Sequence, residues 1–390
     1  MLKIRSKYII KQIFENISVK KNMQLVKYNK KLQNIIDLSL KGYKMYNQTE
    51  IELIPILSYK NEDRFINGNN KDKPYIHIYI NNNKRKEFTC FRLENKTKIT
   101  KIRIVLDIEF KSFKGLFKDC TCLKKINIIK CNRRDIIDMS EMFYGCKNLT
   151  NLEISNLKTD KVTDMSYMFS ECSSLKNINL LNFNTSKVTN MQNMFEKCES
   201  ITQLNLNNFN TSNVIYMNDM FFECSKLNSI NIDNFNTSNV LNMSYLFNGC
   251  SSLEKLNIGN FDTSKVKDMS CMFENCKRLK ELNLSNFKTS NVINMTKMFN
   301  NCFDLIKLDI SKFDIKKNAR IKYMLSNCNS NLRNKIKKQI GDINDNAFEN
   351  EEKKDDSSEY HFNSIPFKYD PFNFKFEDDF IEYNEDLLIN

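Results

Sequence analysis

Nine of the thirteen cysteines in this 390-residue chain stand at a constant interval of 26 residues. They are Cys120, Cys146, Cys172, Cys198, Cys224, Cys250, Cys276, Cys302 and Cys328. A fixed period of this length over more than half of a chain is typical of stacked supersecondary units, each of which buries its apolar face against the next. The fold is therefore best predicted from one unit and then repeated.

The first half of each unit predicts a β-strand. Leu or Ile stands three residues after each Cys, and two more apolar residues follow, such as Leu204 and Leu206 after Cys198. In this L-x-x-L-x-L pattern of a leucine-rich repeat strand, Leu204 and Leu206 face inward and the residue between them faces outward. Strands of successive units should then align in a parallel sheet.

The second half of each unit predicts a short helix. Val188, Met191, Met194, Phe195 and Cys198 recur at steps of three, three, one and three, which places them on one helical face. An N-F-x-T-S sequence precedes this stretch, and its hydroxyls are suited to capping a helix. The predicted fold class is an α/β repeat: a leucine-rich-repeat solenoid of strand, turn and short helix in each 26-residue coil, with a small N-terminal helical segment.

These repeats resemble the BspA-like leucine-rich repeat family, whose units carry the phrase found here as NFNTSNVLNMSYLFNGCSSLEKLNI over residues 234–258. The resemblance spans about residues 130–312 and implies a surface or adhesive protein. The Cys-containing 26-residue period is also similar to the leucine-rich repeats of F-box proteins. Residues 6–33, SKYIIKQIFENISVKKNMQLVKYNKKLQ, resemble an F-box, which implies an adaptor protein of a ubiquitin ligase bound at residues 1–50.

The chain divides into four predicted segments. Residues 1–50 are helical and possess the F-box-like stretch, and residues 51–96 form a β-hairpin-containing linker or N-terminal cap. Residues 97–340 form the solenoid with its terminal caps, starting with a degenerate coil at Ile99, Ile102 and Ile104. Residues 341–390 form an acidic tail that we expect to be disordered, or alternatively to bind a partner through its interleaved aromatic residues.

Charge is distributed unevenly along the chain. Residues 341–390 hold 15 Asp or Glu against 4 Lys, a net −11, which leaves +24 on residues 1–340 of a chain with a total of +13. One interpretation is an acidic tail that lies on a basic body or competes for its ligands. The favoured interpretation is a compositional bias spread over the surface, because the basic residues lack the aromatic interleaving of nucleic-acid binders. We expect no nucleic-acid partner.

The sequence predicts no enzyme and no cofactor. It has two His residues, so the cysteines lack a general base, and it has no C-x-x-C spacing for a metal. Neither a signal peptide nor a transmembrane stretch is recognisable, so we expect a cytoplasmic protein, with the cell surface as the alternative. The repeat cysteines are then predicted to be buried apolar residues rather than disulfides or metal ligands.

A solenoid binds ligands with its repeated outward surface, here called the strand face. We define it by the outward residue of each strand and by charged or polar residues two positions earlier. These predicted binding residues are Asn127, Glu153, Asn179, Asn205, Asn231, Asn257, Asn283 and Asp309, flanked by Lys125, Gln203, Lys255, Glu281 and Lys307. At about 4.8 Å for each stacked strand they form a polar track on the order of 35 Å long.

A second Asn column is predicted to be structural, through hydrogen bonds to the backbone. It consists of Asn156, Asn182, Asn208, Asn234, Asn260 and Asn286. The leading functional hypothesis is a non-catalytic protein-protein interaction scaffold with its ligand on the strand face, without a small-molecule substrate or a membrane. The alternatives are a substrate-recognition subunit of a ubiquitin ligase and a surface adhesin.

Overall fold

The computed structural model describes residues 19–36, 39–56, 63–68, 71–83, 87–93, 98–110, 112–316, 319–340 and 343–350. They all belong to a unit of residues 1–351, and a second unit, residues 352–390, lies outside the described ranges. Strands and turns make up most of the described residues, and helices are few. The acidic segment beyond residue 350 and the Ile-Phe pair of the F-box-like stretch are not among them.

Three short helices open the described part of the chain. They are α1 (Val19–Tyr28), α2 (Lys30–Ile36) and α3 (Leu40–Tyr46). The Ser39 hydroxyl caps α3 by accepting a hydrogen bond from Gly42 N at 3.0 Å, which satisfies one of the N–H groups at the helix start. Helices therefore occur within the segment for which the sequence predicts them.

A mixed sheet follows and joins the N-terminal segment to the first repeat. Its strands are β1 (Thr49–Pro55), β2 (Ile76–Ile80), β3 (Ile102–Leu106), β4 (Leu123–Cys131) and β5 (Asn151–Glu153), in the order β2-β3-β1-β4-β5. Only β4 and β5 pair in parallel. Because β1 pairs antiparallel with β4, it covers the first strand of the parallel stack.

This sheet corrects two details of the predicted N-terminal region. Ile102 and Ile104, predicted to lie in a degenerate first coil, belong to β3, which pairs antiparallel with β1 and β2. The predicted hairpin after β2 is reduced to a bridge between Ile78 and Phe88, where Phe88 N donates to Ile78 O at 2.8 Å. β3, which comes later in the chain, is the main partner of β2 because its five residues pair with all of β2.

Successive 26-residue coils then stack in parallel. The strands β6 (Gln203–Asn205) and β7 (Ser229–Asn231) pair with each other, as do β8 (Glu281–Asn283) and β9 (Lys307–Asp309). Leu204 lies opposite Ile230 and Leu282 opposite Leu308, an offset of one repeat. A second line of parallel bridges, here called the second ladder, joins Asp138, Asp164, Asn190, Tyr216, Asn242, Asp268, Asn294 and Arg320.

The prediction of a short helix in each coil is wrong. The stretch from Met165 to Cys172 consists of turns, and Tyr167 and Glu171 adopt positive φ angles of 55° and 58°. Alternate N–H groups donate to the next coil rather than along a helix: Tyr167 N donates to Gln192 O and Phe169 N to Met194 O, both at 3.0 Å. Left-handed residues interrupt a right-handed helix, and hydrogen bonding between coils replaces hydrogen bonding along the axis.

The predicted helix-capping role of the N-F-x-T-S hydroxyls is corrected accordingly. Thr211 is buried, and its hydroxyl donates to Asn236 O at 2.9 Å while accepting from Asn236 N at 2.8 Å. One side chain thus satisfies both backbone groups of a residue in the next coil. The same pair of bonds is formed by Thr159, Thr185, Thr263 and Thr289.

Columns of identical side chains fill the interior of the stack. Eight phenylalanines, one from each coil between Phe117 and Phe299, stack with ring centroids 5.4 to 5.9 Å apart and planes inclined by no more than 17°. Met, Leu and Val columns surround them and are almost fully buried. Apolar burial of this kind is the main favourable contribution to folding.

The cysteine column adds a hydrogen bond to this interior. Each thiol from Cys146 onward donates to the carbonyl of a Phe in the preceding coil, for example Cys224 Sγ to Phe195 O at 3.1 Å and Cys250 Sγ to Phe221 O at 3.2 Å. The same bond recurs at Cys146, Cys172, Cys198, Cys276, Cys302 and Cys328. The repeated cysteine is therefore both an apolar filler and a donor to a buried carbonyl.

A helix and a short 3-10 turn close the other end of the stack. Helix α4 (Ser330–Ile340) buries Leu332 and Ile336 and lies where the sequence analysis places the C-terminal cap of the solenoid. The 3-10 turn Asp345–Phe348 accepts hydrogen bonds from the last coil, from Tyr323 N to Asn346 O and from Leu325 N to Ala347 O. Residues 343–350, which the sequence analysis assigns to the acidic tail, are therefore part of this cap.

Candidate functional site

Most of the residues predicted for the strand face lie on the parallel strands β4 to β9, in register. Asn179, Lys255 and Asn257 lie in coils that form no strand, and Lys255 makes only a bridge to Glu281. Asn205 pairs with Asn231, Glu281 with Lys307, and Asn283 with Asp309. Ten of the thirteen are exposed, whereas Lys125, Asn127 and Asn231 are half-buried. At the N-terminal end, β1 lies beside Lys125 and Asn127, so the column continues into the mixed sheet there. Whether these residues bind a ligand stays a prediction.

The Asn column of the strand face has a structural role that the sequence analysis missed. From Asn179 onward, each side-chain oxygen of the column accepts a hydrogen bond from the backbone N–H two residues later, as Asn205 Oδ1 does from Asn207 N at 3.2 Å. This is an Asx turn, which ends the strand and fixes the side chain. The same turn occurs at Asn179, Asn231, Asn257, Asn283 and Asp309.

The second Asn column forms the structural hydrogen bonds that the sequence predicts. Asn208 Nδ2 donates to Leu180 O at 2.9 Å and to Phe183 O at 3.0 Å, both in the preceding coil. Asn156, Asn182, Asn234, Asn260 and Asn286 donate to backbone carbonyls of the preceding coil in the same way. This column holds neighbouring coils together because buried carbonyls need donors.

Some charges on and beside the strand face are paired with one another. Lys307 Nζ lies 3.5 Å from Glu281 Oε2. Beside them Glu254 lies 2.5 Å from Arg278 Nη2 and 2.9 Å from Lys280 Nζ, and these cations lower the pKa of the Glu254 carboxyl. Exposed pairs of this kind contribute little to stability. The middle of the strand face, around Asn179, Asn205 and Asn231, is lined by uncharged amides.

A second polar surface lies at the predicted helix positions and is here called the turn face. It comprises the residues one, two, five and six positions before each ladder cysteine, such as Ser166, Tyr167, Ser170 and Glu171. Its side chains bond from coil to coil. Asn248 Nδ2 and Asn300 Nδ2 both donate to the Glu274 carboxylate, at 2.9 and 2.8 Å, and Tyr144 OH donates to Glu171 at 3.1 Å.

Partly buried carboxylates distinguish the turn face electrostatically. Burial raises the pKa of Asp219 to about 6, although the Asn218 amide donates to it and opposes the rise. Burial also raises the pKa of Glu196, which accepts hydrogen bonds from Ser170 Oγ and Asn193 Nδ2. Loss of hydration disfavours the charged form in both cases. Because the pKa of each carboxyl is raised in the folded state, its ionisation lowers the stability of the fold.

The ladder cysteines are not suited to nucleophilic chemistry. Burial raises the pKa of the Cys172, Cys224 and Cys276 thiols to about 12, so they stay protonated and donate to Phe carbonyls. Nucleophilic attack requires a thiolate. Within the described ranges no group of three or more His, Cys, Asp or Glu is arranged to hold a metal ion.

His77, the only histidine in the described ranges, has a structural setting. Its ring nitrogens lie 2.7 Å from Glu87 Oε1 and 3.1 Å from Asp107 Oδ2. Burial lowers the pKa of His77, but its hydrogen bonds with both carboxylates outweigh that effect and raise it overall. The His77 ring therefore bridges segments of the N-terminal sheet.

None of the helices in the described part of the chain has the length and hydrophobicity to cross a membrane.

Comparison with known proteins gives one family. A family model described as "Mycoplasma protein of unknown function, DUF285" matches residues 111–231 and 217–339. It is not an F-box family, and its matches begin beyond residues 1–50, so the F-box resemblance gains no support. No curated protein matches the chain.

Among solved structures, a leucine rich cell surface protein from Faecalibacterium prausnitzii A2-165 is similar to this chain. The identity is 16%, the match covers 52% of this chain and 74% of that one, and the TM-score is 0.20. Repeats are evident in the sequence and in the coil contacts described above, independently of this likeness.

Proposed function

We propose that this chain, which belongs to the family described as "Mycoplasma protein of unknown function, DUF285", is a non-catalytic protein-protein interaction scaffold. In this proposal the stack of coils is a leucine-rich-repeat solenoid of the BspA-like type, and the strand face binds a protein ligand. The proposal applies equally to the two locations that the sequence analysis leaves open, the cytoplasm and the cell surface.

The observation that carries the proposal is the fixed, exposed amide column on the strand face. Asn179, Asn205 and Asn283 are exposed, and each is held by a hydrogen bond to its own coil. Side chains that are already ordered lose less conformational entropy when they bind a partner. A rigid array of outward polar groups therefore supports recognition, whereas the protonated, buried thiols offer no nucleophile.

The proposal is tested by affinity purification and mass spectrometry of the full chain and of the double variant Lys255→Glu, Lys307→Glu. Both side chains are exposed on the strand face, and the Lys307 pair with Glu281 is solvent-accessible, so the fold should tolerate reversal. We expect the variant to lose the proteins that the wild-type chain captures.

A matched control is Lys161→Glu, Lys187→Glu, which makes the same charge change in the segment between the N-F-x-T-S turn and the second ladder. This control should capture the same proteins as the wild-type chain, and both variants should keep the wild-type melting temperature. Unchanged capture by the strand-face variant, or equal losses in both variants, would contradict the proposed function.

A further inference from the structure

We infer that the strand face is a hydrogen-bond donor surface, and that its partner is an extended peptide segment rich in carboxylates. The inference rests on the proposed function and names the class of partner. It follows from the orientation of the Asn side chains, because the Asx turns determine which polar group of each amide points outward. Three consecutive coils carry it, those of Asn179, Asn205 and Asn231.

The orientation of these three amides is fixed by the backbone. Their Oδ1 atoms accept hydrogen bonds from Leu181 N at 3.1 Å, Asn207 N at 3.2 Å and Asp233 N at 3.4 Å. An amide flipped by 180° would place its NH2 group against another N–H donor, so the flipped state is excluded. The outward group of each side chain is therefore NH2, a donor only.

The outward NH2 groups of these three residues make no hydrogen bond to any other described residue. The next coil shows which acceptor such a group takes. Asn257, at the equivalent position, donates from Nδ2 to the carboxylate of Asp233 at 2.8 Å. The NH2 group of Asn257 thus already donates to a carboxylate of this chain. The NH2 groups of Asn179, Asn205 and Asn231 can donate to carboxylates of a partner in the same way.

Charge favours a carboxylate over a neutral acceptor. Hydrogen bonds to an ionised acceptor are shorter and stronger than those between neutral groups. The three amides carry no charge of their own, and residues 1–340 carry a net +24, which attracts an anionic segment over a distance. Coils that stack in parallel stand about 4.8 Å apart, so the three donors span about 10 Å, a length that three or four extended residues cover.

Nucleic acid is a less suitable anion for this surface. Proteins that bind single strands place aromatic side chains where the bases can stack on them. The thirteen residues of the strand face include no aromatic residue. The surface offers donors without a stacking platform, and this combination favours a peptide.

The test is the triple variant Asn179→Asp, Asn205→Asp, Asn231→Asp in the full chain. Aspartate keeps the oxygen that closes the turn and replaces the outward donor by an acceptor. The protein itself uses this substitution at Asp309, whose Oδ1 accepts from Ser311 N at 3.0 Å. The folded state should therefore persist, which circular dichroism and the melting temperature verify.

Fluorescence anisotropy measures the binding of four labelled probes: the peptides (Asp-Thr)6, (Asn-Thr)6 and (Lys-Thr)6, and the oligonucleotide dT12. We expect (Asp-Thr)6 to bind wild type most tightly, more weakly as salt rises, and at least about tenfold more weakly to the triple variant. The control variant Ile137→Asp, Thr163→Asp, Ile293→Asp adds the same charge at exposed positions beside the second ladder and should change the affinity less than about twofold.

Tighter binding of (Lys-Thr)6 or dT12, equal loss in the control, or no binding of (Asp-Thr)6 would overturn the inference. The partners captured by affinity purification separate this failure from that of the proposed function. If partner capture is lost in the Lys255, Lys307 variant but persists in the triple variant, the proposed scaffold function is supported and the inference of a donor surface is wrong. If capture depends on no strand-face residue, the proposed function itself is wrong.

Discussion

The strand face and the turn face repeat with the same 26-residue period and are both polar, but their hydrogen bonds run in different directions. On the strand face, Asn205 bonds to its own coil and presents its NH2 group outward. On the turn face, Asn248 bonds to Glu274 in the next coil and is buried. Bonds between coils are not confined to the turn face, because Asn257 on the strand face also donates to Asp233 of the preceding coil. The difference is that the NH2 group of Asn205 stays exposed, whereas that of Asn248 is buried against a carboxylate.

The largest effect is expected when an amide on the turn face is substituted, which tests whether hydrogen bonds of this face hold neighbouring coils together. Asn248→Ala removes a buried donor from the Glu274 carboxylate, and we expect the free energy of unfolding to fall by about 2–3 kcal/mol. Urea unfolding of the full chain, followed by circular dichroism, measures the change. A loss below about 0.5 kcal/mol would show that the turn face does not hold the coils together.

A second prediction uses pH to separate the two faces. Burial raises the pKa of Asp219 to about 6, above its unfolded value, so the folded state binds its proton more tightly. The ionised form therefore costs stability above pH 6, and this cost disappears as the pH falls toward the unfolded value. Asn suits the positive φ of 57° at this position, so Asp219→Asn should stabilise the protein by on the order of 2 kcal/mol at pH 7.5.

The gain from Asp219→Asn should shrink markedly by pH 5, where the wild-type carboxyl is largely protonated in the folded state. Asp309→Asn is the matched control on the strand face, because hydrogen bonds from Ser311 lower the pKa of Asp309. That substitution should give no gain at pH 7.5. Equal gains at both pH values would contradict the role assigned to burial of Asp219.

The smallest expected effects lie on the strand face. Asn205→Ala removes the acceptor of an exposed turn and should cost about 0.5–1 kcal/mol, whereas Asn205→Asp keeps the acceptor and should change stability by less than about 0.5 kcal/mol. Thermal melting of the two variants compares them directly. If Asp were as destabilising as Ala, the Asx turn would not explain this column.

The sequence was sufficient to predict the period, the buried Leu and Cys columns and the backbone-binding role of residues such as Asn208. Those features depend on apolar spacing and on the need to satisfy buried carbonyls, both of which are visible in one unit. The predicted strands are confirmed in the parallel pairs β4 with β5, β6 with β7, and β8 with β9.

The turns could not be distinguished from helices by spacing alone. Val188, Met191, Met194, Phe195 and Cys198 fit one face of a helix, but hydrogen bonds between coils are invisible in a single repeat. A signal was nevertheless present at the position before each ladder cysteine, which has a positive φ. Gly, Asn or Asp occupy it in several coils, and these residues tolerate left-handed backbone: Asp119, Gly145, Gly249, Asn275, Asn301 and Asn327.

The strand-face amides show the same limit of sequence reasoning. An outward Asn offers both a donor and an acceptor, so the sequence left open whether stacked amides bind each other or a partner. The structure shows that the side-chain oxygen of every column Asn from Asn179 to Asn283 accepts from the N–H two residues later, as Asn283 does from Ser285. This reduces the exposed chemistry to one kind of group.

Site-specific photo-crosslinking is the most direct test of the claim that partners contact the strand face. A benzophenone amino acid replaces either Gln203, exposed on the strand face, or Glu223, exposed on the turn face of the same coil. The full-length variants are irradiated in the lysate in which wild type captures its partners, and the products are identified by mass spectrometry. The account predicts crosslinked partners from position 203 and none from position 223. Partners crosslinked from position 223 but not from position 203 would contradict it.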